Sequence, residues 1–373
     1  MKSTNHFNIS KKIKNKIISL RKTNKKEVMK LYSFMLRLRL CEEALSEEYH
    51  PADQMRCPVH FCAGQEAVPA SLNILLEKRD YLYSHHRSHG YYLAKNAPMQ
   101  KLFAEIYGKK TGANSGIAGS QDISYPTNKF YSGAILAGAV SIALGSAMTL
   151  QMNKNNKQIV VAGFGEAAAD EGIFWETINY AGLKKLPIIF ICENNNYSVF
   201  SPQTKRLGGV GISERTKAFG IESKAIFGND VCLVHSELKN AILNARKNKG
   251  PFLLEAFTYR YNGHVGPLSD DLVGYRDEKE ISFWKENCPI ALLEKLLLKK
   301  NYLNKKEIKK IKIKINNEIE DAFDFAKKSD FPVLDSWEEM NFSNKSPIAD
   351  KILKDLEQSR FDEDQKIIQV KGY

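Results

Sequence analysis

Two groups of residues in this sequence could do chemistry. The first joins Glu166, in Gly165-Glu166-Ala167-Ala168-Ala169-Asp170-Glu171-Gly172, to Asn195, in Glu193-Asn194-Asn195-Asn196-Tyr197. A carboxylate, a side-chain amide oxygen and a loop carbonyl make a hard-oxygen set, suited to a magnesium or calcium ion that keeps its remaining sites for phosphate and water. The second group crowds His85, His86, Arg87 and His89 into a few residues before a helix. This is the chemistry expected around a phosphate or a carboxylate. A competing reading treats the first group as an Asn-rich turn and the second as a solvated turn with a capping histidine.

The elements that must position the first group are legible. The apolar run Ile159-Val160-Val161-Ala162, closed by Gly163, reads as a buried parallel strand. A helix-period segment follows from Ile173 to Lys185, with apolar Phe174, Ile178, Ala181 and Leu183. After Pro187 comes a second apolar run, Ile188 to Cys192. In a strand, helix, strand unit both carboxyl ends open on one edge of the sheet, so Glu166 and Asn195 become neighbours. The helix opening after Gly172 would add a positive dipole end for a phosphate.

The rest of the chain sets bounds. At 373 residues it can bury a large core, in one large α/β domain with helical ends or in two domains. The net charge is +12. Much of the excess lies in the Lys-rich amino end and in Lys299 to Lys314, so we read compositional bias and expect no nucleic-acid partner. Six cysteines at 41, 57, 62, 192, 232 and 288 lack any paired or zinc spacing, which fits reduced thiols. No long apolar stretch predicts a membrane span, the amino end lacks the apolar core of a secretory signal, and cytoplasmic residence is the expectation.

In chain order, we expect a basic flexible arm over 1–26 and a long amphipathic helix from Lys26 to about His50, with Val28, Leu31, Met35, Leu38 and Leu45 on one face. Further helices are predicted at Ala67 to Leu76, Met99 to Lys109, Gly133 to Leu150, Ser213 to Phe219 and Val234 to Asn248. The Gly/Ser segment Lys110 to Asp122 reads as a loop flexible enough to fold over a ligand. Ser269-Asp270-Asp271 reads as a solvated turn, 299–329 as a terminal helix, and 330–373 as an extension that binds a partner subunit or is a disordered tail.

Several blocks, in order over roughly residues 28 to 325, resemble the α subunit of thiamine diphosphate-dependent 2-oxo acid dehydrogenases, the decarboxylating component of the pyruvate, branched-chain and acetoin dehydrogenase complexes. They are His60-Phe61-Cys62-Ala63-Gly64-Gln65-Glu66-Ala67, His86-Arg87-Ser88-His89-Gly90, Gly119-Ser120-Gln121-Asp122, the Gly165 to Tyr197 unit, Ile226 to Val231, and Pro251-Phe252-Leu253-Leu254-Glu255 with Thr258-Tyr259-Arg260, Gly263-His264 and Tyr275-Arg276. The family motif reads Gly-Asp-Gly and ends in Asn-Asn; here Gly165-Glu166-Ala167 keeps the carboxylate on a longer arm and loses a glycine.

That resemblance implies an α/β thiamine diphosphate-binding fold, a mostly parallel sheet with helices on both faces and helical extensions at both ends, over 27–329. It implies magnesium held by Glu166, Asn195 and the carbonyl of Tyr197. It implies cofactor contacts from His86, Arg87, Ala134, Leu136, Gly165, Glu166, Ala167, Ala168, Asn195 and His264, with His264 and His89 as catalytic residues near the cofactor mouth. Asp122 stands where the family has a histidine, and an anion there would disfavour a substrate carboxylate. The implied activity is decarboxylation of a 2-oxo acid, or cleavage of an acyloin, and transfer of the acyl or aldehyde unit. The implied partners are a β subunit in a heterotetramer of two α and two β chains and a lipoyl-bearing acyltransferase. Two other readings stay open: a thiamine diphosphate carboligase in a biosynthetic pathway, and a cofactor-free scaffold with a decayed metal site.

Overall fold

The computed structural model describes residues 10–12 and 19–333, apart from 22, 53, 56, 154–156 and 272, together with 351 and 354. The chain divides into two units, Met1–Phe331 and Pro332–Tyr373. The expected arm over 1–26 lies largely outside the described residues, and the expected extension over 330–373 almost wholly so.

The first unit is built on six parallel strands: β1 (Tyr81–Ser84), β2 (Phe130–Ser132), β3 (Val160–Gly165), β4 (Ile188–Asn194), β7 (Glu222–Phe227) and β8 (Phe252–Phe257). A separate two-residue hairpin pairs β5 (Tyr197–Ser198) with β6 (Ser201–Pro202). The sheet order is β2-β1-β3-β4-β8-β7, every pairing parallel. β3 and β4 run in register from Val160 opposite Ile188 to Gly165 opposite Glu193. The chain leaves β1 toward one edge and returns to the other side for β3, so a crevice opens at the carboxyl ends of β1 and β3, the ligand position of open α/β sheets.

Alternation along the strands feeds two cores. Val161, Ile189, Ile191 and Leu254 face one side, toward α1 (Lys25–Ala52), α2 (Ala67–Leu75), α3 (His89–Ala94), α4 (Met99–Ile106), α8 (Val231–Ala245), α10 (Pro289–Lys299) and α11 (Lys305–Lys328). Val160, Ala162, Phe164, Phe190 and Leu253 face the other, toward α5 (Gly138–Met152), α6 (Gly172–Lys184) and α7 (Ile212–Lys217). Large side chains of this kind contribute about 1.5–3 kcal/mol each on full burial, and β4 is buried along its whole length. A sheet covered on both faces needs this uninterrupted apolar run.

The helix ends follow local chemistry. Asn24 and Glu27 form a reciprocal cap at the start of α1, and Asn304 and Glu307 do the same for α11. Asp230 caps α8 by accepting from Leu233 N–H at 3.0 Å. Asp277 caps α9 (Glu278–Glu286) through Lys279 N–H.

Two expectations are corrected. The small-residue helix starts at Gly138, not Gly133, because 133–137 forms a loop after β2 with Ala137 at φ +59°. The predicted 299–329 helix is the end of α10 and, after a break at 300–304, α11. β3 exits into a 3-10 turn, Glu166–Asp170, before α6 begins. Strands β1 and β2, of four and three residues, are too short to show a period, and β7 is buried at Ser223, Ile226 and Phe227 without alternation, so none of the three was read from the sequence.

Candidate functional site

A cavity of about 250 Å³ opens at the carboxyl edge of the sheet. Its walls come from four strand exits: His85, His86 and Arg87 after β1, Ala134 to Val140 after β2, Gly165 to Ala168 after β3, and Asn195 to Val199 after β4. A wider helix-lined groove includes Arg37 and Glu318, but these charges pair with each other at 2.6 Å.

One end of the cavity is oxygen-rich. Glu166 is buried, and its Oε1 accepts from Arg206 Nη2 at 2.5 Å. Asn195 donates from Nδ2 to Gln65 Oε1 at 3.2 Å, which fixes the amide, while its Oδ1 accepts from Tyr197 N–H at 3.2 Å. The Asn-rich turn that follows β4 is held by Asn196 at φ +75° and by Gln203 N–H donating to the Asn196 carbonyl at 2.7 Å. Tyr197 is locked further by its hydroxyl, which donates to Glu280 at 2.7 Å. Ala167 is not among the residues with positive φ, so the alanine in the Gly165-Glu166-Ala167 motif sits in ordinary backbone and imposes no strain. Carboxylate, amide oxygen and the Tyr197 carbonyl form a donor set suited to a hard divalent cation.

The other end is nitrogen-rich. The ring nitrogens of His60, His86 and His264 lie within 4.8 Å of one another. Burial and the neighbouring Arg87 hold His60 down to about 3, and burial with Arg87 and Arg260 holds His264 down to about 4. Burial, His85 and Arg87 push His86 lower still. Arg87 itself falls to about 10, through burial and then Arg260. It donates to the Phe61 carbonyl and, at 3.1 Å, to the His264 carbonyl. Neutral imidazoles in a field set by two arginines suit an anion such as a diphosphate better than a cation.

The entrance histidine is held from behind. Asp270 accepts from His264 N–H at 3.1 Å, Tyr275 hydroxyl at 2.6 Å and Arg260 Nη1 at 3.2 Å. The expected solvated turn at Ser269-Asp270-Asp271 is therefore an anchor for the His264 segment.

All the residues predicted to bind metal or cofactor line this cavity: Glu166, Asn195, Tyr197, His86, Arg87, Ala134, Leu136, Gly165, Ala167, Ala168 and His264. The exception among the predicted site residues is His89. It is fully buried, accepts or donates at Ser120 Oγ (2.8 Å) and pairs with Glu42 (2.7 Å), so it stands behind the wall rather than at the mouth. Asp122 is exposed and accepts from the N–H of the lining residue Ala134 at 2.8 Å, which sets its carboxylate beside the wall, while its neighbour Gln121 lines the cavity.

Sequence reasoning did not assign His60, Gln121 or Glu193 to the site, although His60 opens a matched block and Glu193 precedes the Asn motif; His85, counted in the histidine-arginine cluster without a role of its own, also lines the cavity. Gln121 Nε2 lies 3.2 Å from His60 Nδ1, and His85 lies 3.4 Å from Glu193. The Gly/Ser loop is also less free than expected, because the buried Glu105 carboxylate accepts four of its backbone N–H groups.

Comparison with known proteins settles the family. The sequence profile of the dehydrogenase E1 component family matches residues 34–334. This chain belongs to that family. A pyruvate dehydrogenase E1 component subunit alpha from Porphyra purpurea is 32% identical over 327 residues, covering 86% of this chain and 94% of the relative. The corresponding subunit of Rickettsia bellii is 30% identical over 309 residues, 83% of this chain and 93% of the relative. The human somatic mitochondrial form is 32% identical over 309 residues, 82% and 77%. As an E1 chain of the α type it is a thiamine diphosphate-dependent dehydrogenase component that acts with a β subunit. Its described residues contain no helix long and apolar enough to cross a membrane.

Proposed function

We propose that this chain is the α subunit of a heterotetrameric E1 that decarboxylates pyruvate or a similarly short 2-oxo acid and passes the acyl unit to a lipoyl group on an acyltransferase. The observation that carries the reading is the two-ended cavity, with hard oxygens at the exits of β3 and β4 and, beside the Arg87 guanidinium at the exit of β1, the imidazoles of His60, His86 and His264. Such a pair of ends fits a metal-bridged diphosphate. Glu166, Asn195 and the Tyr197 carbonyl would hold magnesium, and His86, Arg87 and His264 would hold phosphate oxygens. Gly165, Ala167, Ala168, Ala134 and Leu136 would form the wall against the rest of the cofactor. When bound, thiamine diphosphate supplies the electron sink for decarboxylation.

The chain's own residues then orient and desolvate. Tyr197 is fixed by Glu280, Asn195 by Gln65 and the backbone of His264 by Asp270, so the segments that meet the ligand lose little conformational entropy on binding. His264, neutral near pH 7, can donate a hydrogen bond at the entrance without contributing a charge. His89 acts at one remove, by holding Ser120 next to Gln121.

A β partner is supported by exposed apolar side chains on the segments that follow β2 and β3. Ile135, Ile142, Met152 and Leu183 are 79%, 64%, 86% and 70% exposed on the loop before α5, on α5 and on α6. Ala139, Ala143 and Ala147 of α5 meanwhile pack inward. Large apolar side chains left this exposed on neighbouring helices suit burial against a partner subunit. The six cysteines, all free, suit a reducing compartment such as the cytoplasm.

The test is calorimetric titration of thiamine diphosphate, with and without magnesium, into the chain assembled with its β subunit. Saturable binding that needs magnesium, and that is lost in Asn195→Ala and Glu166→Ala, supports the reading. Absence of binding in the assembled wild-type complex overturns it in favour of a cofactor-free scaffold. Product analysis with pyruvate then separates acyl transfer from carboligation.

A further inference from the structure

Arg206 lies outside every block of the family resemblance, yet its guanidinium is fixed on the carboxylate assigned to the metal. It follows a short 3-10 turn, Gln203–Lys205, that is tied to the Asn motif by Gln203 N–H on the Asn196 carbonyl at 2.7 Å and by Asn194 Nδ2 on Gln203 Oε1 at 3.1 Å. From this anchored loop the side chain turns back. Its Nη2 donates to Glu166 Oε1 at 2.5 Å, its Nη1 to Asp170, and its Nε to the Ser201 carbonyl at 3.2 Å. The Arg206 side chain is only 15% exposed, so all three of its nitrogens are committed and its plane is fixed.

We propose that Arg206 is the positioning residue for Glu166, a cation clamp that restricts this carboxylate to a one-oxygen approach to magnesium and makes metal binding dependent on the diphosphate. The inference rests on the metal reading of Glu166 given above. Two physical arguments support it. A glutamate has one more rotatable bond than the aspartate of the family motif, and magnesium tolerates little angular error, so the longer arm needs an outer partner to fix it. Arg206 supplies that partner in the planar geometry a lysine lacks. Second, Arg206 offsets part of the charge of the Glu166 and Asp170 pair, so a bare divalent ion gains less there than it would from two uncompensated carboxylates. A diphosphate arriving with the ion brings the negative charge that two neighbouring cations require.

The experiment uses the assembled α/β complex. Manganese, as a paramagnetic probe of the magnesium site, is titrated by electron spin resonance with and without thiamine diphosphate, and calorimetry gives cofactor affinity. The variants are Arg206→Met, Arg206→Lys and Asp170→Ala. In the wild type, manganese is expected to bind weakly alone and tightly with the cofactor. Arg206→Met is expected to weaken metal-dependent cofactor binding by about 10- to 100-fold, the usual cost of losing an outer partner of a metal ligand, and to narrow the difference between manganese binding with and without cofactor. The loss appears in KM for thiamine diphosphate more than in kcat, and Arg206→Lys restores part of it. Should Arg206→Met fail to assemble, Asp170→Ala, which releases only Nη1, must weaken binding in the same direction by a smaller factor. Unchanged or tighter binding in these variants overturns the clamp, tighter binding identifying Arg206 as a mere competitor for Glu166. If wild type binds no cofactor under any condition, the cofactor reading fails first and the clamp with it.

Discussion

Glu105→Gln is the substitution that best tests whether the site is built by buried scaffolding rather than by its lining. Glu105 is 1% exposed. Its Oε2 accepts from Asn114 N–H at 2.7 Å and Gly116 N–H at 3.0 Å, and its Oε1 from Ala118 N–H at 2.8 Å and Gly119 N–H at 3.2 Å. The loop wraps so closely that a Cβ on Gly112 would lie 2.4 Å from Oε2. Glutamine keeps the volume but turns one oxygen into an NH2 group, which removes two of the four acceptor contacts and sets two donors against donors. At about 1.5 kcal/mol net for each bond to a charged acceptor, the loss is about 3 kcal/mol, roughly a 100-fold change in the folding or loop-closing equilibrium. Urea denaturation reads the global share. Hydrogen exchange at the amides of 114–119 reads the local one. Because the loop carries Ser120 and Gln121, cofactor affinity should fall although no cavity residue has changed. A stability loss below about 1 kcal/mol with unchanged exchange at these amides would refute the reasoning.

Other outcomes follow from the same geometry. His60 and His264 titrate near 3 and 4 in the folded chain, below the unfolded value of about 6.5. The unfolded state therefore takes up protons first as pH falls. Their contribution to stability is fully present only above about pH 6.5 and is lost progressively toward pH 4. Denaturant midpoints measured from pH 7 to 4.5 should fall, and a His60→Gln/His264→Asn double variant should show a shallower slope. Glu42→Gln removes the charged partner of buried His89 and weakens the bond from Cys62 N–H at 2.6 Å, with an expected cost of about 1–3 kcal/mol by urea denaturation. Gly64→Ala should be worse tolerated than any surface substitution, because Gly64 has φ +98° and a Cβ there would meet the Tyr259 carbonyl at 2.3 Å. Poor recovery of folded protein on expression checks it, and near-normal recovery would count against so close an approach of these two loops.

By itself, the sequence determined the central strand, helix, strand unit. Runs such as Ile188 to Cys192 are too apolar to lie anywhere but inside a covered sheet, and the polar residues that end them must emerge at one edge. The pairing of Glu166 with Asn195 and the crowding of His86 with Arg87 were legible for that reason, since both depend on short-range order and strand direction. Strands β1 and β2 were not legible, because three or four residues carry no periodic signal and exist only by pairing with neighbours. Tertiary structure alone decided the contacts made by long side chains across the chain. It buried His89 against Glu42, seated Asp122 on Ala134, turned Asp270 inward to His264, closed the Gly/Ser loop on Glu105 and brought Arg206 to Glu166. A buried charge must find its partner wherever the fold happens to place one, and no local spacing in the sequence records that place.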